Sequence, residues 1–377
     1  MPDTVKLSTT IPMHIRHRGR GAQIRIYLGK FFRMFVFQND WKVLPMSMVI
    51  AALVALVFHG TMYRNMENTL LGAFAVSCIS IWNGCFNSIQ VVCRERGIVK
   101  REHRSGMHIS SYVAAHMIYQ AFLCISQSAL TTYVFYFLGV HFPEKGYITS
   151  WSMVDFGLAV FLVTYASDMM GLFVSSIVRS TTLAMTIVPF ILIFQLIFSG
   201  GFFSLPSWCQ PLTDLTISRY GIKSICALGG YNELPSVMPW NTLFRMRNTA
   251  IEQKLTVKQV REALKGDFFQ ERFREIKNEE GVGLDSIINI LVDDPALQIY
   301  DNESYDLKCT IGELIDLIGE EKARNEILEA SRQAGFKEDY DQNELNLFIS
   351  GSMLVFFTLL FAGLSVVSLE FIDRDKR

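Results

Sequence analysis

Arg94-Glu-Arg-Gly-Ile98-Val-Lys-Arg-Glu102-His-Arg104 is the stretch from which the rest of the chain can be read. These eleven residues hold five Lys/Arg and two Glu, and a run without one formally charged side chain flanks them on each side, 68–93 before and 105–143 after. Such a charge knot cannot sit in hydrocarbon, so it is a short loop at one membrane face, and its basic excess assigns it to the cytoplasmic face. A plain connector needs only a few solvated residues. Here the charges alternate with Ile98 and Val99, which suits a short amphipathic helix that lies on the membrane surface and docks against a partner protein.

Outward from this loop the sequence predicts an all-α polytopic membrane protein. Residues 43–63 form an uncharged run of 21, enough to cross ~30 Å at about 1.5 Å per residue. Further runs at 68–93, about 109–138, 151–178, 183–199 and 345–369 bring the count to six spans. Before the first, Ile24, Tyr27, Leu28, Phe31, Met34 and Phe35 recur at helical spacing while Arg25, Lys30 and Arg33 fall elsewhere on the wheel. This is an interfacial helix, either a plain anchor or a connecting helix packed beside the charged loop. No apolar run precedes Val43, so no cleavable signal is expected and the first span serves as its own insertion signal. Arg179-Ser-Thr-Thr182 makes a tight turn into the fifth span. The pair Gly200-Gly201 ends that span, and the apolar but Pro-containing stretch after it predicts a re-entrant segment over 200–230. Six spans place both termini in the cytoplasm.

Composition agrees with a membrane protein carrying some soluble mass: half of the 377 residues are hydrophobic and 19% charged. Charge is unevenly spread. From 200 to 344 there are 16 Lys/Arg against 25 Asp/Glu, which leaves 19 basic and 11 acidic residues elsewhere. An acidic soluble part argues against a nucleic-acid partner. Within it, Thr256-x-x-Gln259 and Thr310-x-x-Glu313 are capping boxes that start helices, so an external insertion over 241–343 is expected to be helical. The organisation expected is therefore a tail and connecting helix at 1–42, spans one to five at 43–240 with the charged loop at 94–106, the insertion at 241–343, and span six with a cytoplasmic tail at 344–377. Cys78, Cys85, Cys93 and Cys124 fall in or beside spans, where a small apolar residue is the simpler reading; Cys209, Cys226 and Cys309 alone are placed to meet in an oxidising compartment. No Cys/His cluster has metal-ligand spacing.

Several residues resemble those of the membrane half of G-subfamily (White-type) ATP-binding cassette exporters. In that family a coupling helix with Arg-Glu and a Ser-Gly step joins spans two and three. The matching residues are Glu95-Arg96, Arg101-Glu102, Ser105-Gly106 and Tyr112, and later Phe198-Ser-Gly-Gly-Phe-Phe203, Pro206, Trp208 and Ser218-Arg-Tyr220. The likeness covers about 20–230 and the final span; the insertion does not share it. It implies a plasma-membrane exporter subunit that dimerises with its own copy or a relative and is driven by a separate ATPase chain, on which ATP and magnesium reside. This chain is then no enzyme, since no Gly-x-x-x-x-Gly-Lys-Ser/Thr run occurs, and the acids Asp293-Asp294 after an apolar run lack a phosphate loop to serve. A different class stays open, a non-transporting receptor or scaffold acting through its external domain.

The resemblance also assigns roles. Glu95, Arg96, Lys100, Arg101 and Glu102 couple the spans to the ATPase. On the second span Asn83, Asn87 and Gln90 share one face, with Phe86 beside them, and either hydrogen-bond to a neighbouring helix or line the substrate path. Phe190, Phe194 and Phe198 make an aromatic ridge on the fifth span, suited to lipophilic substrates or to core packing. Gly201, Phe202 and Phe203 stand where the family has an apolar plug at the exit. Asp168 lies ~16 Å inside the cytoplasmic end of the fourth span by helical rise, and is either a proton relay or a hydrogen-bonded packing residue.

Overall fold

A computed structural model describes residues 19–37, 40–201, 206–264 and 302–371. The tail 1–18, Asp293-Asp294 and the terminal charges at 373–377 lie outside the described residues. The chain divides into two compact units, one of Met1–Leu234 with Lys337–Arg377 and one of Pro235–Phe336.

In the first unit α1 (Arg20–Phe37) and α2 (Val43–Val57) precede α3 (Met66–Ser88), α4 (Val91–Arg104), α5 (Ile109–Phe137), α6 (Ser152–Ile177) and α7 (Thr181–Ile197). The short α8 (Gln210–Thr213) and α9 (Ile217–Leu228) come next, and after the second unit α14 (Glu344–Glu370) ends the fold. Among the described residues four helices are long and apolar enough to cross a membrane: α3 running on into α4, α5, α6 and α14. The chain is a multi-pass helical membrane protein. Helices α2 and α7 are equally apolar but shorter, with 15 and 17 residues. The 21-residue run expected to cross as one helix is helical over only 15 residues, about 22 Å. Gly60 and Tyr63 take left-handed backbone conformations there and turn the chain, with Met62 fully buried, before Asn65 caps α3 through its side chain.

Helix α6 is central, packed by α3, α5, α9 and α14. Among the described elements its contact with α3 is the most extensive. Ser80, Gly84 and Ser88 on α3 and Ser167, Gly171 and Ser175 on α6 form two rows of buried small residues at spacing four. A Cβ on Gly84 would land on the carbonyl oxygen of Thr164 and 2.8 Å from the amide nitrogen of Asp168, and one on Gly171 would lie 2.8 Å from the carbonyl oxygen of Cys85. Without a hydrophobic drive between helices in lipid, this contact is what lets backbones approach and dispersion act.

Helix α9 runs along α3 from its middle toward its start. A Cβ on Gly221 would lie 2.9 Å from Ser77 Oγ and from Val163 Cγ2, and Ser77 is about 16 Å along α3 from Met66. The other end, at Gly229, reaches the ring of Tyr63 beside the start of α3. Gln195 of α7 caps the start of α9, accepting the Ser218 amide at 3.2 Å with its side chain and the Ser218 hydroxyl with its carbonyl.

The second unit holds α10 (Met238–Arg245), α11 (Val257–Leu264), α12 (Ile311–Ile318) and α13 (Glu320–Ala334), with Trp240, Ile315 and Ala323 in a small core. It is not all helical, as the sequence had suggested. Strands β1 (Ala250–Thr256) and β2 (Ser304–Thr310) pair antiparallel, Ala250 opposite Thr310 and Thr256 opposite Ser304. Tyr305, Leu307 and Cys309 alternate with polar residues, the period of a strand, and Lys308 bridges Glu252 at 3.0 Å across the pair. Both capping boxes are present, at Thr256/Gln259 and Thr310/Glu313, and each strand runs straight into its capped helix.

Candidate functional site

The charged stretch is the 14-residue helix α4, and both of its ends are satisfied by identifiable groups. At its start the amides of Val92 and Cys93 donate to Ser175 Oγ of α6 at 3.1 and 3.2 Å, answering two of the donors a helix leaves bare. At its end Gly106, at φ 101°, closes a Schellman turn: its amide donates to the His103 carbonyl and the Met107 amide to the Glu102 carbonyl. That left-handed position explains the Ser105-Gly106 step, because only glycine enters it without strain.

The helix is two-faced. Val92, Cys93, Glu95 and Val99 are buried against the protein, whereas Arg94, Ile98 and Arg101 are exposed at helical spacing. Along the inner face α1 grips it at three levels. Lys30 Nζ pairs with Glu95 Oε2 at 2.9 Å, the Tyr27 hydroxyl donates to Glu102 Oε2 at 2.8 Å, and Gln23 both accepts the His108 amide at 2.9 Å and donates to the Gly106 carbonyl at 3.2 Å. Burial, reinforced by Glu102, pushes the Tyr27 phenol above its ordinary range, so it remains a donor at neutral pH. Arg96 donates to the carbonyls of Ser176 at 2.8 Å and Val178 at 3.2 Å, where the negative end of the α6 dipole favours a cation. Of the five residues assigned to coupling, Glu95, Arg96 and Glu102 thus fasten α4 to α1 and α6, Arg101 faces outward and Lys100 is half-buried. Gln23 and Ser175 did not stand out in the sequence, and Tyr27 did so only as one of the apolar positions of α1. Tyr27 lies three residues before Lys30, on the α1 face already marked by its apolar spacing.

The amide face of α3 turns toward α5. Asn87 and Gln127 exchange two hydrogen bonds, 2.8 Å from Asn87 Nδ2 to Gln127 Oε1 and 3.2 Å in return. Gln90 sits at the junction with α4, and Asn83 is buried. Phe86 is exposed and stacks on Trp82 with ring centres 4.8 Å apart. The ridge of α7 points elsewhere: Phe190 is 70% exposed, Phe194 is also exposed, and Phe194 leans on Phe198 at 4.8 Å. Within one chain the amides and the ridge are not brought together. Gly201 packs near Ile222 of α9, its Cβ position 3.4 Å from Ile222 Cδ1, while Phe202 and Phe203 lie outside the described residues. Asp168 is fully buried, accepting from Ser88 Oγ, which in turn accepts from Gln120 Nε2 at 2.7 Å. This chain ties α5, α3 and α6 together at one level.

The Asn87–Gln127 pair yields a direct expectation. Asn87→Leu strands Gln127 in an apolar seam and should lower the melting temperature of the detergent-purified protein, at a cost of about 0.6–2 kcal/mol. Adding Gln127→Leu should restore most of the loss, whereas a double variant weaker than either single one would mean the amides have partners beyond each other.

Residues 23–228 match the ABC-2 type transporter family. A relative among characterised proteins is the ABC transporter ATP-binding/permease protein Rv1747 of Mycobacterium tuberculosis, 29% identical over 151 residues. That alignment covers 39% of this chain and 17% of the relative, so the chain spans only a small part of that protein's length.

Proposed function

Because the chain belongs to the ABC-2 type transporter family, whose members form the membrane part of ABC transporters, we propose that it is the permease subunit of an ATP-driven exporter of the G-subfamily (White-type). The observation that carries this reading is α4, gripped by α1 on its inner side and presenting Arg94, Ile98 and Arg101 outward. A helix held so firmly, with one free basic and apolar face, is built to receive a push from a docked protein. The pusher is an ATP-binding cassette ATPase on a separate chain, a partner of the kind with which the membrane parts of ABC transporters work.

The remaining roles follow the same order. Helices α2, α3, α5, α6, α7 and α14 make six crossings, and the packing of the α9 start beside the middle of α3 supports a re-entrant segment on the outer side. The unit Pro235–Phe336 is external and both termini are cytoplasmic, in the plasma membrane. Trp82 and Phe86 on α3 and Phe190 and Phe194 on α7 are large exposed apolar groups that a second membrane subunit would cover, and the substrate path runs between the two copies past Asn83, Asn87, Gln90 and Phe198 toward Gly201.

Affinity purification of the chain from its native membrane tests this reading. An ATP-hydrolysing cassette protein should co-purify at near-equal amount, and a cysteine at 98 should be shielded from an impermeant thiol reagent on intact cells while one at 330 reacts. Purification without any ATPase, with the external unit bound to another protein, would favour a receptor or scaffold instead.

A further inference from the structure

Helix α1 has a second face. Its inner side holds α4 and α5 through Gln23, Tyr27, Lys30 and Phe31. Opposite them on the wheel Arg25, Ile26, Phe32, Arg33, Val36 and Phe37 are exposed, Phe37 at 81%. The helix carries no Asp or Glu. Lys30 is engaged by Glu95, whereas neither Arg25 nor Arg33 forms an ion pair with a described residue. Large apolar groups in water are unfavourable, and arginines in hydrocarbon are more so. Both are satisfied at the boundary between acyl chains and headgroups, where the apolar groups point inward and the guanidinium groups reach outward on their apolar stems.

The packing on α5 places α1 at that boundary. Gln23 bonds to Gly106 and His108, just before α5 begins, and nine residues later Phe32 meets Tyr119 and Phe122 with ring centres 5.6 and 5.5 Å apart. Helix α1 therefore climbs along α5. About 20 residues of helix cross the hydrocarbon, and counted back from Phe137, the last residue of α5, they begin near Ile118. Arg33 is thus level with the edge of the hydrocarbon, and Arg25 lies about 12 Å further along α1 toward the charged loop. Trp41, exposed just beyond α1, is of the residue type that favours the same boundary.

We propose that the outer face of α1 binds anionic phospholipid, the guanidinium groups of Arg25 and Arg33 each taking headgroup phosphate oxygens while Ile26, Phe32, Val36 and Phe37 enter the acyl layer. A zwitterionic headgroup balances its phosphate with its own ammonium. A lipid of net negative charge leaves the phosphate to an arginine, whose planar fork matches it. The inference needs only that the chain spans a membrane and does not rest on ATP-driven transport. It sets lipid charge on one side of the helix whose other side grips α4.

The test uses the full chain in nanodiscs made of equal parts phosphatidylcholine and phosphatidylglycerol, with the lipid retained after transfer to mild detergent counted by native mass spectrometry. Phosphatidylglycerol should be retained in excess, and Arg25→Gln and Arg33→Gln should each cut the ratio of the two lipids by about fivefold. Arg25→Lys and Arg33→Lys keep the charge and should keep most of the excess. Arg324→Gln removes an exposed charge from the second unit and should leave the ratio unchanged. Both α1 arginines are exposed, so the variants should melt at the temperature of the natural protein, which separates lost lipid from lost fold. Equal retention of the two lipids by the natural protein, or an excess that survives both glutamine substitutions together, would overturn the assignment. Retention of neither lipid would also overturn it and give this face to a protein partner.

Discussion

Gly84→Val should leave almost no properly assembled protein, seen as a loss of at least about tenfold in the monodisperse peak on fluorescence-detected size exclusion, since overpacking costs about 1–3 kcal/mol even where side chains can yield. Here they cannot. The added carbon falls on the Thr164 carbonyl oxygen and near the Asp168 amide, both of them backbone of a helix that is itself packed on three other sides. Parting α3 from α6 would also break the Ser88–Asp168 bond and draw Ser175 away from the first amides of α4. The effect is specific to the seam and owes nothing to helix propensity, which favours replacing glycine by valine by a few tenths of a kcal/mol. Gly97→Ala is the matched control: nothing lies within 4 Å of its Cβ position, so it should assemble as well as the natural protein. Equal recovery of the Gly84 and Gly97 variants would show that α3 and α6 are not held this closely in the membrane.

The second large effect is expected at Ile98→Glu. Ile98 projects from the free face of α4 between Arg94 and Arg101, while its neighbour Val99 is fully buried. A carboxylate at the exposed position does not disturb the inner grip, so expression and assembly should be unchanged. In an apolar contact with a docked ATPase the same charge is desolvated and cancels part of the basic field of Arg94 and Arg101, and loss of a central contact of this type costs about 2 kcal/mol or more. Co-purified ATPase should therefore fall by at least about tenfold. Undiminished ATPase on an assembled Ile98→Glu protein would move the docking surface away from α4.

Much of this arrangement can be read in the sequence, and the exceptions share a cause. The face of α1 is legible because six apolar residues recur at helical spacing, and α4 is legible because its charges interrupt two long neutral runs. The partner of Asn87 is not legible: Gln127 lies forty residues away, and only the packing of α5 on α3 brings the amides together. The α3–α6 seam did leave a signal, Ser80-Gly84-Ser88 and Ser167-Gly171-Ser175 at matched spacing, which is visible once small residues rather than polar ones are followed along a span. The strands of the second unit were hidden by their capping boxes, which announce helices so strongly that the residues before each one pass for a linker. The shortness of α2 reflects left-handed residues at Gly60 and Tyr63, and hydropathy carries no information about a turn made of apolar residues.

The grip of α1 on α4 is the step that would carry ATP-driven movement into the spans. Lys30 is 31% and Glu95 11% exposed at the side chain, so desolvation offsets much of the attraction and the pair contributes too little to decide folding by itself. Glu95→Gln keeps the shape, removes the charge and leaves the outer face of α4 intact for docking. The most direct measurement is the rate at which a single cysteine replacing Phe190, exposed on α7, reacts with a thiol reagent in the reconstituted permease–ATPase complex, with and without ATP. The ATP-dependent change in that rate should be clear with Glu95 present and largely lost in Glu95→Gln, while ATP hydrolysis continues in both. An ATP response that is the same in both backgrounds would contradict transmission through the α1–α4 grip.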